Sequence, residues 1–345
     1  MTGLVINIKY DSSVDSCPHE AQFKATVAGV VKYYESHFSD PITINIHVGW
    51  GEVDGFAIGN GDGAASVSNY TTNRFSFSQI KAALRRDGTT GDDHNAVASL
   101  TSDFTHGGTF SMTRAEAKAL GLLDATSTAV DGWIGVDKTS HWVYNTTNTT
   151  GSNITGDKVD LFSFIAHEIS EVMGRQMNFG HGSAGHGEGV GYYPMDLFDF
   201  SRSTGAHNSV PNVARYFSLN GGSSHINNFN TDRSGDQFDW AHGHTADSFD
   251  AFGNKGAVSG GDLRVLDVLG YNTIKNGSTA VAANSTTGTA HTPLHDALLL
   301  AQDTAAHHAS HAILAVNEHG AVTYHAGGGL IEHVPMHTIA PGNFA

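Results

Sequence analysis

The chain has 345 residues, which is enough for one large domain or two smaller ones with a substantial core. Only 15% of the residues are charged and the formal net charge is −16, which disfavours binding to nucleic acid or to an anionic membrane surface. The single cysteine, Cys17, excludes an intramolecular disulfide framework and is expected to be an incidental free thiol, so stability must come from the core or from bound metal.

The N-terminus begins with a predicted strand and not with a signal peptide. Residues 4–9 alternate apolar and polar side chains, and they lack the basic and apolar regions of a cleaved signal. No run approaches the roughly 18–20 apolar residues that span a bilayer, so we predict no membrane insertion. The acidic, cysteine-poor, Gly- and Asn-rich composition is typical of bacterial type I secretion substrates. We therefore expect a secreted protein whose export uses no cleaved N-terminal signal.

The next part of the chain predicts a long helix followed by strands. Apolar residues recur at helical spacing and predict an amphipathic helix over residues 19–38. Isoleucines alternate with polar residues over 42–48 and predict a half-buried strand. Residues 50–75 are rich in Gly, Asn and Ser, and we expect them to be irregular. Further elements are short helices at 77–86, 92–100 and 113–120, and strands at 133–136 and 142–144.

A polar linker over residues 145–156 precedes the helix that carries the main motif. Asp157 or Asp160 can cap this helix and favour the positive end of its dipole. A strand, a long helix, several strands and a second helix form an order typical of an α+β fold with one central sheet.

The chain after the motif helix is rich in Gly and His up to residue 191, compact and apolar over 192–200, and rich in Ser, Asn and Gly to about 260. A short helix over 262–271 closes on a glycine, as helix C-termini often do. We assign residues 1–272 to one domain and 273–292 to a Ser/Thr/Gly linker.

The remaining residues, 293–345, form a small His-rich C-terminal extension. Its pattern predicts a helix at 295–309 and two short strands at 312–316 and 321–324.

Two other groups of metal-ligand residue types lie between residues 232 and 250. The spacing of the acidic group matches neither an EF-hand nor a nonapeptide repeat, so we expect a solvated loop containing Asp232, Asp236, Asp239, Asp247 and Asp250. His242 and His244 lie in a Gly-containing loop, and we expect them to have no metal-binding role.

The segment A-H-E-I-S-E-V-M-G-R at residues 166–175 nearly reproduces the zinc-binding pattern H-E-x-x-H. His167 and Glu171 are four residues apart, so on a helix they lie on one face and can hold one metal ion. Glu168 lies about 100° round the helix, where it can act on a water as general base. The glutamate in place of the second histidine makes the site more negative, which weakens the Lewis acidity of zinc and favours harder cations.

The setting of this motif decides between a metal site and a charged surface helix, because H-E-x-x-E alone fits either. Phe162, Phe164, Ile169 and Val172 make the helix apolar on most of its circumference, which predicts a mostly buried helix. Two buried carboxylates and an imidazole need partners, since buried unpaired charge is costly. One metal ion supplies a partner to all three, so we favour the metal site.

The sequence HEISEVMGR, followed by YYPMDLFDFS and DLRVLDVLGY, resembles a family of bacterial secreted metalloproteases that is grouped with the zincins. With INIKYDSSV and DPITINIHVGWGEV, the resemblance covers residues 4–272. It implies an α+β, zincin-like fold: a mixed twisted sheet with a long N-terminal helix and an active-site helix, plus the small C-terminal extension. Gly174 also matches the metzincin pattern. Glu171 and Met177 depart from it, and Met177 is a poor zinc ligand.

A third metal ligand must therefore come from elsewhere. Asp196 is our preferred choice because it lies in the compact segment PMDLF. His181 and His186 are the alternatives, with better ligand chemistry but a Gly-rich loop around them, and Glu188 is a further candidate. A site containing Asp196 would be rich in carboxylates and could favour calcium or manganese over zinc.

We predict a zinc-dependent endopeptidase that hydrolyses peptide bonds of a protein or peptide substrate with metal-activated water. Tyr192 and Tyr193 are candidate hydrogen-bond donors to the transition state, and a homo-oligomer is compatible with the sequence. The alternative is a catalytically inactive extracellular or surface protein. It would self-assemble on a zincin scaffold whose site is empty or holds calcium.

Overall fold

A computed structural model describes residues 3–152, 154–179, 191–208, 213–233, 235–243, 247–253 and 256–274, and the backbone of 312–316 and 322–325. The described chain is a mixed helix and strand structure with several small sheets. Its helices are α1 (Glu20–His37), α2 (Phe77–Asp87), α3 (Gly91–Ser99), α4 (Arg114–Ala119), α5 (Leu161–Val172) and α6 (Gly260–Val268), with 3₁₀ turns at Ser12–Ser16 and Pro194–Phe198.

The described strands, numbered along the chain, are β1 (Val5–Tyr10), β2 (Thr43–Trp50), β3 (Glu52–Val53), β4 (Phe56–Ala57), β5 (Ala64–Ser68), β6 (Phe75–Ser76), β7 (Thr109–Phe110), β8 (Gly132–Val136), β9 (His141–Val143), β10 (Lys158–Asp160), β11 (Gly191–Tyr192), β12 (Asp199–Ser201), β13 (Arg215–Phe217), β14 (Asn227–Asn228), β15 (Ala312–Val316) and β16 (Val322–His325).

The largest sheet has six strands in the order β1-β2-β8-β5-β15-β16. β1, β2 and β8 run parallel to one another, whereas β5 runs antiparallel to β8. β15 pairs parallel with the other edge of β5, and β16 returns antiparallel to β15. The sheet is therefore mixed, as predicted, and the C-terminal extension contributes two of its strands.

The two helices that pack on this sheet are α1 and α5. The apolar face of α1 buries Phe23, Val27, Val30 and Tyr34, which follow helical spacing. The Tyr34 hydroxyl donates to the carbonyl of Ala166 at 2.7 Å and so joins α1 to α5. Asp160 caps α5 by accepting from the Phe162 N–H at 3.1 Å, which selects Asp160 from the two predicted caps.

The sheet side of α5 is packed without spare room. A Cβ atom at Gly132 of β8 would lie 2.7 Å from a methyl of Val172. Every residue of α5 is buried, including its three ionisable side chains. This close packing fixes where the motif residues lie relative to β5 and β8.

Most predicted elements are confirmed with shifts of one or two residues at their ends, but the stretch 50–75 is not irregular. It contains β5, an inner strand of the six-stranded sheet, together with β3, β4 and the start of β6. The small residues of β5 (A-A-S-V-S) are buried on both faces, so they show no alternation of apolar and polar side chains.

The other predictions for the chain ends have mixed outcomes. The last helix of the domain is α6, which begins at a Ser259 capping box, and Gly270 behind it has φ 111°. The helix predicted at 295–309 lies outside the described residues. Cys17 is a buried free cysteine. In the part of the chain that the structure describes, no helix is long and apolar enough to cross a membrane.

A second apolar core lies around α2, α6 and the small strands, and it holds a histidine that we expect to respond to pH. The His207 ring stacks between Phe104 and Phe200, 4.3 Å from each ring. Burial lowers the pKa of His207 to about 4. The unfolded chain therefore binds a proton near the ordinary pKa of about 6.5, while the folded chain does not until about pH 4.

Stability contributed by neutral His207 should thus be complete above pH 6.5 and lost as the pH falls towards 4. As the pH falls from 6.5 to 4, the free energy of unfolding of the His207→Phe variant should decrease less than that of the wild type. Urea titration at each pH measures this difference. Substitution of the exposed His94 by Phe is the control. Parallel stability curves for wild type and H207F would contradict the prediction.

Candidate metal centre

The helix α5 places its motif residues in the interior. His167, Glu168 and Glu171 are each 1% exposed. The Nε2 atom of His167 lies 3.3 Å from Oε1 of Glu171, one helical turn further on. The sequence spacing therefore brings these two side chains together as predicted.

The orientation of the His167 ring is fixed by a backbone carbonyl. Its Nδ1 lies 3.0 Å from the carbonyl oxygen of Ser248, and since a carbonyl only accepts, Nδ1 carries the proton. Nε2 therefore faces Glu171 and also Asp239, whose Oδ1 is 3.4 Å away. A nitrogen between two carboxylates requires a cation, either a proton or a metal ion. Metal-binding histidines are commonly held in this way by their other nitrogen.

The third member of the group is Asp236. One ligand atom from each of His167, Glu171 and Asp236 lies within 4.8 Å of the others, and all three residues are buried. Within the described residues, Oδ2 of Asp236 is buried and has no hydrogen-bond donor. A nitrogen and two carboxylate oxygens are ligands that divalent metals accept, so this group can bind a metal ion.

The pKa values of the ionisable side chains at the centre are shifted because these side chains are buried close to one another. Burial, followed by the charge of Glu171, raises the pKa of Glu168 and of Asp236 well above their usual values. Burial raises the pKa of Asp239 to about 7 against the lowering effect of His167 and Arg175. Burial alone would lower the pKa of His167, but the neighbouring carboxylates, Asp239 first, raise it to about 10. Each shift shows that the centre favours added positive charge.

The carboxylate of Glu171 is oriented by β5. The Ser66 hydroxyl donates to Glu171 Oε2 at 2.5 Å, while the Ser68 hydroxyl donates to the backbone carbonyl of Glu171 at 3.4 Å. Both serines are buried. Of the two serines, Ser66 is therefore the one that contacts the Glu171 side chain, which would hold a metal.

We expect Ser66→Ala to weaken metal binding by about 10–100-fold, the usual effect of removing an outer partner of a ligand. Ser68→Ala, which removes a hydroxyl from the same strand, should change the affinity by less than about threefold. Zinc titration against a chromophoric chelator measures both. Equal affinities of S66A and S68A would contradict this role of Ser66.

The segment that follows α5 turns back towards the centre. The N–H of Arg175 donates to the Ser170 carbonyl at 3.0 Å and that of Gly174 to the Glu171 carbonyl at 2.9 Å, which is the Schellman pattern. Gly174 has φ 109°, and a side chain there would meet the Glu116 carboxyl at 2.8 Å. This turn, formed by Gly174 and Arg175, places the buried Arg175 side chain next to the carboxylates.

The structure places Asp196, our predicted third ligand, in a different role. Its carboxylate accepts from three backbone N–H groups, those of Asn178, Phe179 and Tyr193, at 2.7–3.1 Å. Burial raises its pKa to about 7. It caps the start of the 3₁₀ turn Pro194–Phe198, in which it lies, and the residue grouped with His167 and Glu171 is Asp236.

His181, His186 and Glu188 lie outside the described residues. Met177 is buried, and its sulfur accepts from Arg215 Nη1 at 3.4 Å, so it faces the second core.

The two predicted hydrogen-bond donors differ in their surroundings. Tyr192 packs on Phe104 and Phe110 in the second core. Tyr193 stacks on Tyr70 at 5.1 Å, and the Tyr70 hydroxyl donates to Gln176 just after Arg175.

The acidic stretch that we expected to be a solvated loop is mostly interior, so that prediction is wrong for four of its five members. Asp236, Asp239, Asp247 and Asp250 are buried, and only Asp232 is exposed. The signal in the sequence was the apolar partners Phe238 and Trp240, which are buried between and beside these aspartates. Of the two nearby histidines, His242 lies 3.3 Å from Asp250, and His244 is outside the described residues.

Comparisons of the chain with protein-family models, with curated proteins and with solved structures found no match. The geometry of the centre is thus the basis for assigning a class of function.

Proposed function

We propose that the protein is a zinc-dependent endopeptidase of zincin-like fold. The observation that carries this proposal is the convergence of His167 and Glu171 of one buried helix with Asp236, next to Glu168. Export from the cell belongs to the same proposal and is supported by the acidic, cysteine-poor composition.

Zinc suits the donor set better than calcium. His167 offers a nitrogen, and calcium takes oxygen ligands almost throughout. Zinc binds imidazole and carboxylate at about 2.0–2.2 Å, which places the ligands of a tetrahedral ion about 3.3–3.5 Å apart. The Nε2–Oε1 distance of 3.3 Å between His167 and Glu171 already fits this spacing.

Some residues of the centre would bind the metal ion, and others would transfer protons or position the ligands. His167, Glu171 and Asp236 would hold the ion. When bound, it would polarise the scissile carbonyl, acidify a water and offset the negative charge around Glu168. Glu168 accepts the proton of the attacking water and passes it to the leaving amine, as a positioned general base and acid. Ser66 keeps Glu171 in place, and Tyr193 is the candidate donor to the tetrahedral intermediate.

One observation favours a second candidate function. The three ligand residues are between 1% and 9% exposed, and a closed centre of this kind is typical of structural metal sites. The alternative is therefore a non-catalytic secreted or surface protein that uses the same residues to hold a structural ion.

The deciding experiment is metal analysis of the purified protein together with cleavage of casein. The proposal expects about one zinc per chain and cleavage that a chelator stops and added zinc restores. Tightly bound calcium, or zinc without cleavage of casein or of a peptide library, would favour the structural alternative.

A further inference from the structure

The buried arginine beside the centre, Arg175, is placed between two carboxylates. Its side chain is fully buried. Nη1 lies 3.6 Å from Asp239 Oδ1, and Nη2 lies 3.6 Å from Asp262 Oδ1. The same Oδ1 of Asp239 lies 3.4 Å from Nε2 of His167, so one oxygen faces both the arginine and the proposed ligand nitrogen.

Arg175 also reaches His167 through an aromatic ring. The Phe249 ring stacks on the His167 imidazole at 4.5 Å with an interplanar angle of 22°. The guanidinium carbon of Arg175 lies 3.5 Å from the centre of that ring, and Trp240 lies on the guanidinium at 4.6 Å. Imidazole, phenyl, guanidinium and indole therefore contact one another in sequence.

The far end of this column is itself fixed. The indole Nε1 of Trp240 donates to Asp262 Oδ1 at 2.7 Å, the oxygen that faces Arg175. The other Asp262 oxygen accepts from the Ser259 N–H at the start of α6. Cation–π contacts are strongest where water is excluded, as it is here.

We propose that Arg175 is a positioning residue of the metal centre. It holds Asp239 beside Nε2 of His167, and through Phe249 it holds the plane of the imidazole. The inference rests on the proposed metal site, and it adds Arg175 and Phe249 to the residues that determine metal affinity. The Oδ1 atom of Asp239 lies 3.4 Å from Nε2 of His167, so Arg175 holds this carboxylate next to the proposed ligand nitrogen.

The chain offers a control in Lys118. Its side chain is also fully buried, is paired with an aspartate (Asp131, 2.5 Å) and donates to the backbone carbonyls of Thr43 and Ser127. None of these partners belongs to the group around His167. Loss of Lys118 therefore reports the general cost of deleting a buried, paired cation.

The test is zinc affinity of the folded full-length chain, measured by competition with a chromophoric chelator for wild type, R175M, R175K and K118M. We expect R175M to bind zinc about 10–100-fold more weakly, and R175K to be intermediate because it keeps the charge but not the planar stack. K118M should lower the melting temperature yet keep zinc affinity within about threefold of wild type.

A second variant covers the case in which R175M does not fold. F249L removes the ring between His167 and Arg175 without changing charge, and it should weaken zinc binding by about tenfold. Wild-type affinity in folded R175M or in F249L, or an equal loss in K118M, overturns the inference alone. A wild-type protein that takes up no zinc overturns the proposed metal site together with it.

Discussion

Glu168→Gln should remove nearly all peptide-bond cleavage and leave the zinc content unchanged. The amide has the shape of the carboxylate but cannot accept the proton of the attacking water, and a positioned general base contributes about 10²–10⁴-fold to kcat. The side chain is interior and lies in the charge field of Glu171, His167 and Asp236, so its substitution acts on the centre itself.

The control for this variant is Glu116→Gln. Glu116 is also a 1% exposed carboxyl, and burial raises its pKa well above the usual value, so the variant makes the same change at a buried site outside the metal group. We expect E116Q to keep kcat within about twofold of wild type. Full activity of E168Q on casein would remove Glu168 from the mechanism. Loss of zinc from E168Q would make Glu168 a ligand and not a base.

Removal of the metal by a chelator should lower thermal stability strongly. Glu168, Glu171, Asp236 and Asp239 are buried together, and without metal the positive charge beside them comes from Arg175, which faces Asp239, and from protonated His167. Zinc at 1,000 times its Kd would stabilise the folded state by about 4 kcal/mol. For a domain of this size that corresponds to a rise in Tm of roughly 8–16 °C.

The effect of metal on Tm should grow with pH. Burial raises the pKa of Asp239 to about 7 and those of Glu168 and Asp236 well above their usual values, and the neighbouring carboxylates raise that of His167 to about 10. Without metal, the folded chain thus holds protons that the unfolded chain has released, so its stability falls as pH rises. Metal binding displaces these protons and becomes stronger as pH rises.

Differential scanning calorimetry with and without zinc at pH 6 and pH 8 measures this difference. We expect the larger shift in Tm at pH 8. Asp103 is exposed, so Asp103→Asn is the control for loss of one carboxylate. This variant should still show a larger zinc-dependent shift in Tm at about pH 8 than at about pH 6. A Tm that does not respond to the chelator at either pH would contradict a metal centre with these ligands.

Sequence reasoning predicted the parts of the fold that local pattern determines. The helical spacing of apolar residues in α1 and the alternation in β2 identify both elements, because one face of each is buried. β5 was missed because both of its faces are covered and its residues are small. The pairing of His167 with Glu171 followed from their four-residue spacing, and the burial of α5 followed from the apolar residues around its circumference.

The third ligand could not be predicted in the same way. Asp196 was preferred because it lies in an ordered apolar segment, but that order arises from its own bonds to three backbone N–H groups. Asp236 lies 65 residues after Glu171, and only the tertiary fold brings the two residues together. A Gly-Arg pair at the end of a helix is compatible with the observed turn at Arg175, but the sequence does not indicate which residues the Arg175 side chain contacts.

The most direct test of the account is the zinc content of D236N and D232N after dialysis, compared with wild type. The two aspartates lie in one loop four residues apart, but Asp236 is buried in the group with His167 and Glu171 whereas Asp232 is exposed. We predict about one zinc per chain in wild type and D232N and less than about a tenth of that in folded D236N. Zinc retained in full by D236N would contradict the assignment of Asp236 as the third ligand and with it the metal centre described above.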